Sequence, residues 1–283
     1  MELAANSPRP IAPARVLAVI PARLGAQRLP RKPLRLIGGV PLVVRVAERV
    51  ASFGIADAVV VATDSTEIAE VVQGAGLSVA LTRADHPSGT DRVAEVAERP
   101  EYATYDVILN VQGDEPFVAR DAVAAAVRVV SDGVAPIGTA AAHAAGDILA
   151  QPDCVKVVLN DAGHALYFSR APIPWLRDAR DAELQSPLVR QHIGVYAYTR
   201  AALATWVSLP PHPLEQVERL EQLRPLAHGL AIGVATLALP IEGGIDTEED
   251  LRRAQARFEV ASDAAAAVVS HAGSLFTPQS SAL

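Results

Sequence analysis

Short apolar runs alternate with helix-patterned segments up to about residue 130, and this restricts the fold more than any other feature. "VLAVIP" (Val16 to Pro21) is a continuous apolar run closed by Pro, the pattern of a strand buried on both faces. Pro41 to Phe53 reads as a helix with Pro41 at its first position. Ala58 to Thr63 is a second buried strand. Ser65 or Thr66 then caps a helix that stops at Gly74 or Gly76. Leu77 to Thr82 is a strand, Thr90 to Arg99 a helix, and Val107 to Val111 a strand interrupted only by Asn110. Such alternation builds a parallel sheet covered by helices on both faces, with ligands at the carboxyl ends of its strands.

The pattern changes near Pro152. "CVKVVLND" and "HALYFSRAPIPW" read as two strands around a turn at Asp161-Ala162-Gly163. A polar, Arg-rich stretch from Arg177 to Arg190 follows, then the strand "HIGVYAYT". "PLEQVERLEQLR" is expected as one helix ended or bent by Pro225. "LAIGVATLAL" is a strand, and "EGGIDTEED" leads into a last helix to about Val260. Residues 1–15 are expected to be disordered, 16–260 to form the working domain, and 261–283 a low-complexity tail.

The bulk properties exclude several classes. No apolar run approaches the roughly 20 residues a bilayer span needs. The first residues carry Pro and Arg where a signal peptide needs an apolar core. The single Cys154 allows no intrachain disulfide framework and no Cys-based zinc site. A soluble protein of a reducing compartment is the expectation. A net charge of −7 argues against nucleic acid as a partner. There is no G-x-G-x-x-G after the first strand and no Walker-type phosphate loop, so a dinucleotide-binding or P-loop domain is poorly supported.

Local chemistry is more telling. Arg23, Arg28, Arg31, Lys32 and Arg35 crowd one segment that contains no carboxylate. It is either a solvated basic loop or a seat for a polyanion, since guanidiniums and an ammonium both suit phosphate oxygens. "VQGDEPF" ends a buried strand on Asp114 and Glu115, with Gly113 able to let a ligand approach. In "GGIDTEEDL", Thr247 and Asp250 form a capping box that leaves Asp246 without a structural duty. Two such acids with substrate phosphates are enough for Mg²⁺. In "RQHIGVYAY", Ile193, Val195 and Ala197 point one way; Arg190, His192, Gly194, Tyr196 and Tyr198 point the other. That second face either meets solvent or recognises a polyhydroxylated acid. On a helical wheel, Leu214, Val217, Leu220 and Leu223 form one stripe that includes Glu221. Glu221 either pairs with Arg224 or accepts from a ligand beside Gln222.

Together the motifs carry a resemblance. "VIPARLGAQRLPRKPL", "TRADHPSGTDRVAEV", "LNVQGDEPF", "VKVVLNDAGHALYFSRAPIPW", "RQHIGVYAYT", "LEQVERLEQLR" and "GGIDTEEDL" resemble, in order and rough spacing, the 3-deoxy-manno-octulosonate (Kdo) cytidylyltransferases, over about residues 16 to 257. The resemblance implies an α/β, Rossmann-like nucleotidyltransferase fold with a mostly parallel central sheet and a small strand-rich part for dimerisation and acceptor binding. It implies transfer of CMP from CTP to Kdo in the cytoplasm for lipopolysaccharide biosynthesis, Mg²⁺ as cofactor, and a homodimer joined around Arg170 to Arg190. By position, Arg23 and Lys32 would hold the CTP phosphates with Arg28 as helper. Arg83 and Ser88 would lie by the cytosine and Gln112 near the nucleotide. Asp114 and Asp246 would bind Mg²⁺, with Lys32, Arg23, Asp114 and Asp246 forming the catalytic set. Arg190, His192, Tyr196, Glu221 and Gln222 would face Kdo. Gln27 departs from the small hydroxyl residue usual before the Arg of "RLP". A cytidylyltransferase for sialic acid or 8-amino-Kdo is the neighbouring alternative, and a non-catalytic nucleotide sensor the alternative from another class.

Overall fold

Strand β1 (Val16–Ala22) lies at the heart of the sheet, and its alternate residues feed two separate cores. Val16, Ala18 and Ile20 face one, Leu17 and Val19 the other. The computed structural model describes residues 14–25, 28–144, 146–238 and 243–259. Residues 1–13, Gln27 and the 261–283 tail lie outside the described residues, so the expectations placed on them are not addressed by it.

After β1 come β2 (Leu36–Ile37) and β3 (Val40–Pro41), which pair as a small ribbon. Then follow α1 (Leu42–Ser52), β4 (Ala58–Thr63), α2 (Thr66–Gly74), β5 (Ser78–Leu81), α3 (Gly89–Ala97) and β6 (Val107–Val111). Each matches the alternation in the sequence. Pro41 is the residue before α1 rather than its first, and Ser65 is the cap of α2, accepting from the Ile68 N–H at 3.3 Å. β1 pairs in parallel with β4 and β6, and β4 with β5.

The sequence pattern assigned nothing to the next elements, α4 (Arg120–Ser131) and β7 (Ile137–His143). β7 reads IGTAAAH and lacks the β-branched or aromatic residues that mark a strand. Its small residues serve packing instead. A Cβ on Gly138 would stand 2.3 Å from the Ala126 carbonyl oxygen, so α4 lies directly on the strand backbone. β8 (Lys156–Leu159) and β9 (Ala165–Ser169) form the expected hairpin, with Gly163 at φ 76° in the turn. After α5 (Ala182–Gln185) comes β10 (Arg190–Thr199). It inserts antiparallel between β6 and β7 and also touches β8. The hairpin therefore belongs to the main sheet. α6 (Arg200–Ser208) was also unassigned by the sequence pattern.

Next come α7 (Pro213–Glu218), α8 (Leu223–Ala227) and β11 (Ile232–Leu237), the last parallel to β7. The large sheet runs β11-β7-β10-β6-β1-β4-β5, and residues 248–259 form a helix packed on its first core.

One expectation is corrected here. "PLEQVERLEQLR" is two short helices, broken at Arg219, which adopts a left-handed φ of 55°. The break folds Arg224 back onto Glu215, and the guanidinium donates to both carboxylate oxygens at 2.8 and 2.5 Å in a buried pair. Arg224 thus pairs with Glu215, not Glu221. The supposed apolar stripe is split as well: Leu220 and Leu223 are buried, while Val217 is 82% exposed. Pro225 sits in the first turn of α8, where its missing N–H costs no helical hydrogen bond.

Candidate active site

The carboxyl ends of β1 and β6 open into a cleft of about 300 Å³. Its walls include Arg23, Lys32, Ser88, Gln112, Asp114 and Glu221 from among the residues singled out in the sequence, with His86 and Arg92 in addition.

The basic loop following β1 meets acids that are remote in sequence. Lys32 Nζ donates to Asp114 and, at 2.8 Å, to Asp246. Arg28 pairs with the other oxygen of Asp246 at 2.8 Å, and Arg35 with Glu248 at 2.6 Å. Arg31 pairs with Glu67. Arg23 forms no ion pair among the described residues and faces the cleft. The loop is therefore neither a free basic surface nor wholly spent on internal pairs.

Close backbone packing brings the acids together. A Cβ on Gly113 would lie 2.7 Å from the Pro21 carbonyl oxygen, so glycine lets the end of β6 close onto β1. This neighbouring strand is what requires glycine there. The Ile245 N–H donates to the Asp114 carbonyl at 2.9 Å and draws the Asp246 segment in. The expected capping box is present: the Asp250 carboxylate accepts from the Thr247 N–H at 2.9 Å, and Thr247 Oγ1 accepts from the Asp250 N–H at 3.2 Å. The Asp246 side chain is left for Lys32 and Arg28.

Burial alone would lower the Lys32 ammonium; Asp114 and Asp246 outweigh it and raise it, so Lys32 stays charged. Glu115 behaves oppositely. Burial, then the charges of Asp114 and Asp246, push its carboxyl up to about 8 against the pull of Lys32. Glu115 is therefore mostly protonated at neutral pH, and Asp114 and Asp246 are the carboxyls that Lys32 holds. Their hard oxygen atoms suit Mg²⁺. No group of three or more metal-ligating side chains exists among the described residues, so such an ion would draw further ligands from substrate and water.

The residues expected on the acceptor side are divided. Glu221 reaches the cleft and accepts from Thr90 Oγ1 at 2.8 Å. Arg190, His192, Tyr196 and Gln222 do not line it. The second face of β10 is divided: Arg190, His192 and Gly194 are partly buried, while Tyr196 and Tyr198 are buried against Trp206 in the second core. The His192 ring packs edge-on to Phe168, where burial pushes it down to about 3 and keeps it neutral. Arg83 also points away from the cleft, 70% exposed beside Asp85. His86 and Arg92 were not singled out. Arg92 lies inside a helical pattern and reads as a surface charge, yet its side chain is 3% exposed.

The fold agrees with that of known proteins. The chain matches the cytidylyltransferase family model over residues 17–232. It is 66% identical over 245 residues to 3-deoxy-manno-octulosonate cytidylyltransferase of Gemmatimonas aurantiaca, covering 87% of this chain and 95% of that one. The chain belongs to the 3-deoxy-manno-octulosonate cytidylyltransferase family. The family member of Leptothrix cholodnii is 45% identical, covering 88% of this chain and 94% of its own. A solved CMP:2-keto-3-deoxy-manno-octonic acid synthetase in complex with CTP superposes with a TM-score of 0.80 at 38% identity, covering 87% of this chain and 99% of that one. Family membership agrees with the mostly parallel sheet. Among the described residues, no helix is long and apolar enough to cross a membrane.

Proposed function

We propose that this chain transfers CMP from CTP to Kdo and releases pyrophosphate, with Mg²⁺ as cofactor. The observation that carries the reading is the meeting of Lys32, Asp114 and Asp246 at the cleft of a chain so similar to Kdo cytidylyltransferases. The C2 hydroxyl of the acceptor attacks the α-phosphorus in line, the bond to the bridging oxygen breaks, and the hydroxyl proton is released. Arg23 and Lys32 bind the departing pyrophosphate, and their charge counts most as negative charge develops there. Ser88 and Gln112 line the nucleotide side; Glu221 serves the acceptor side. Mg²⁺, held by Asp114 and Asp246, would neutralise phosphate charge and favour ionisation of the hydroxyl. Catalysis is otherwise alignment of the two substrates in the cleft.

The same reading makes the protein a cytoplasmic homodimer acting in lipopolysaccharide biosynthesis. Support for a self-contact comes from the segment ahead of β10, where Trp175 is 75% and Leu184 71% exposed. The deciding experiment measures pyrophosphate release from CTP, ATP and GTP, with Kdo, 8-amino-Kdo and sialic acid as acceptors. Release with CTP and Kdo, and little with ATP or GTP, is expected. Equal turnover with ATP removes the cytidine assignment. Nucleotide binding without release under any pairing supports a sensor instead.

A further inference from the structure

The nucleotide wall of the cleft is built from a loop that cannot hold its own shape. Residues 83–87 join β5 to α3, and among the described residues no backbone–backbone hydrogen bond fixes any of them. Yet His86 and Pro87 of this segment line the cleft, beside Ser88, which caps α3. What holds the loop comes from the helix that follows. Glu95, two turns into α3, accepts from the Arg83 N–H at 3.0 Å and from His86 Nε2 at 2.5 Å. Its other oxygen takes Arg99 at 3.4 Å. One turn earlier, Arg92 donates to Thr82 Oγ1 and, at 3.3 Å, to the Arg83 carbonyl.

We infer that Glu95 is a positioning residue for the nucleotide: it touches no substrate, but its carboxylate sets the loop carrying His86 and Pro87 at the spacing the base and ribose require. The contacts are of the kind that matter. The His86 side chain is 3% exposed, so its ring has no solvent to turn to if the carboxylate is lost. Burial alone would raise the Glu95 carboxyl, but the Arg83 N–H, His86 and Arg99 hold it below the usual carboxylate range. The carboxylate is therefore ionised at working pH and makes charge-assisted bonds. The Arg83 guanidinium stands 3.6 Å away at the exposed rim and adds little. The role also explains why Arg83 itself can point outward: its backbone is the gripped part.

This inference rests on the cytidylyltransferase reading, and the test separates the two. CTP binding is measured by calorimetry without acceptor, and KM for CTP and for Kdo by pyrophosphate release, in wild type, Glu95→Ala and Glu95→Gln. Melting temperature is recorded for each. Glu95→Ala is expected to weaken CTP binding and raise its KM about tenfold, equivalent to about 1.4 kcal/mol. KM for Kdo should stay within about twofold of wild type. Glu95→Gln keeps an acceptor for the Arg83 N–H but loses the charge, and should show a smaller, twofold to fivefold loss confined to CTP. Unchanged CTP affinity in Glu95→Ala overturns the inference, as does an equal loss for both substrates that follows the drop in melting temperature. Should Glu95→Ala not fold, a Glu95→Gln variant indistinguishable from wild type in CTP binding overturns it, and a twofold to fivefold loss confined to CTP upholds it. Absence of CTP binding in wild type would instead sink the parent reading.

Discussion

Replacing Lys32 by methionine keeps most of the volume of the side chain and removes the cation shared by Asp114 and Asp246. The ammonium is 12% exposed, while the two carboxylates are 30% and 48% exposed. Unit charges about 4 Å apart attract by about 4 kcal/mol at an effective dielectric of 20. Solvent at the half-exposed Asp246 screens much of that, and desolvation of the ammonium offsets more, leaving a net cost of about 1–2 kcal/mol. In a domain of this size, that is a fall of about 3–6 °C in melting temperature. The informative result lies in the metal dependence. In wild type the ammonium already occupies the position a divalent ion would take between the carboxylates, so Mg²⁺ without nucleotide should move the transition by less than about 1 °C. In Lys32→Met both acids are released. At an assumed Kd of about 1 mM, typical of weak oxygen-ligand sites, 10 mM Mg²⁺ adds about 1.4 kcal/mol, or about 3–5 °C. Differential scanning fluorimetry over a Mg²⁺ series, with Ca²⁺ and high NaCl as controls, reads both numbers. Turnover should fall by about 100-fold or more at any Mg²⁺ concentration, because the cation facing the leaving group is gone. A Lys32→Met variant that melts above wild type without Mg²⁺, or equal Mg²⁺ shifts in the two proteins, would refute the shared-cation argument.

The acids themselves should behave as a unit. Asp114→Asn and Asp246→Asn are each expected to remove most turnover with little loss of helical circular dichroism, and the double variant to be little worse than either; multiplicative losses would separate their roles. Gly113→Ala forces a Cβ to within 2.7 Å of the Pro21 carbonyl and should cost about 1–3 kcal/mol in chemical unfolding. An unchanged midpoint would show that the strands part easily. Glu215→Gln and Glu221→Gln should divide cleanly. The first breaks the buried pair with Arg224 and lowers stability by about 3 kcal/mol. The second keeps an acceptor for Thr90 but removes the negative charge at the cleft, and should raise KM for Kdo; a Glu221→Gln effect confined to melting temperature would make Glu221 structural.

The strands β1, β4 and β6 were legible because a strand buried on both faces is an almost continuous apolar run, and each was closed by Pro or a polar residue; the edge strand β5, with Ser78 and Leu81 exposed, was legible only from its place in the alternation. Lys32, Asp114 and Asp246 were legible for a different reason: each charge stood where local structure gave it nothing to do. β7 was missed because its alanines and Gly138 are chosen for the approach of α4, a tertiary demand that overrides strand propensity. The reading of β10 met a different limit. Its alternation was correct, but the sequence does not say that Trp206 and Phe168 would cover the tyrosine face. The helix reading of 213–224 failed because the wheel counted leucines without foreseeing that Arg224 would satisfy Glu215 by turning the chain at Arg219. Glu95 stayed hidden because its partners are a backbone N–H and a histidine in a loop, contacts that no residue spacing announces.

The placement of β10 governs how the chain can be made. β6 and β7 follow one another in synthesis, with only α4 between them, yet they are not neighbours in the sheet; β10 separates them. Until residue 199 has left the ribosome, both strands present bare edges facing a gap one strand wide. Such edges recruit foreign strands readily, so a stalled or truncated chain ending before Arg190 is a ready substrate for chaperones and for aggregation. The late strand also pairs with β6 across a long stretch of sequence, and such pairings are slow to form. A reporter that splits the protein should therefore be cut after β10, between α6 and α7, where the amino-terminal piece keeps every strand from β1 to β10 and leaves the later helices and β11 to dock from outside.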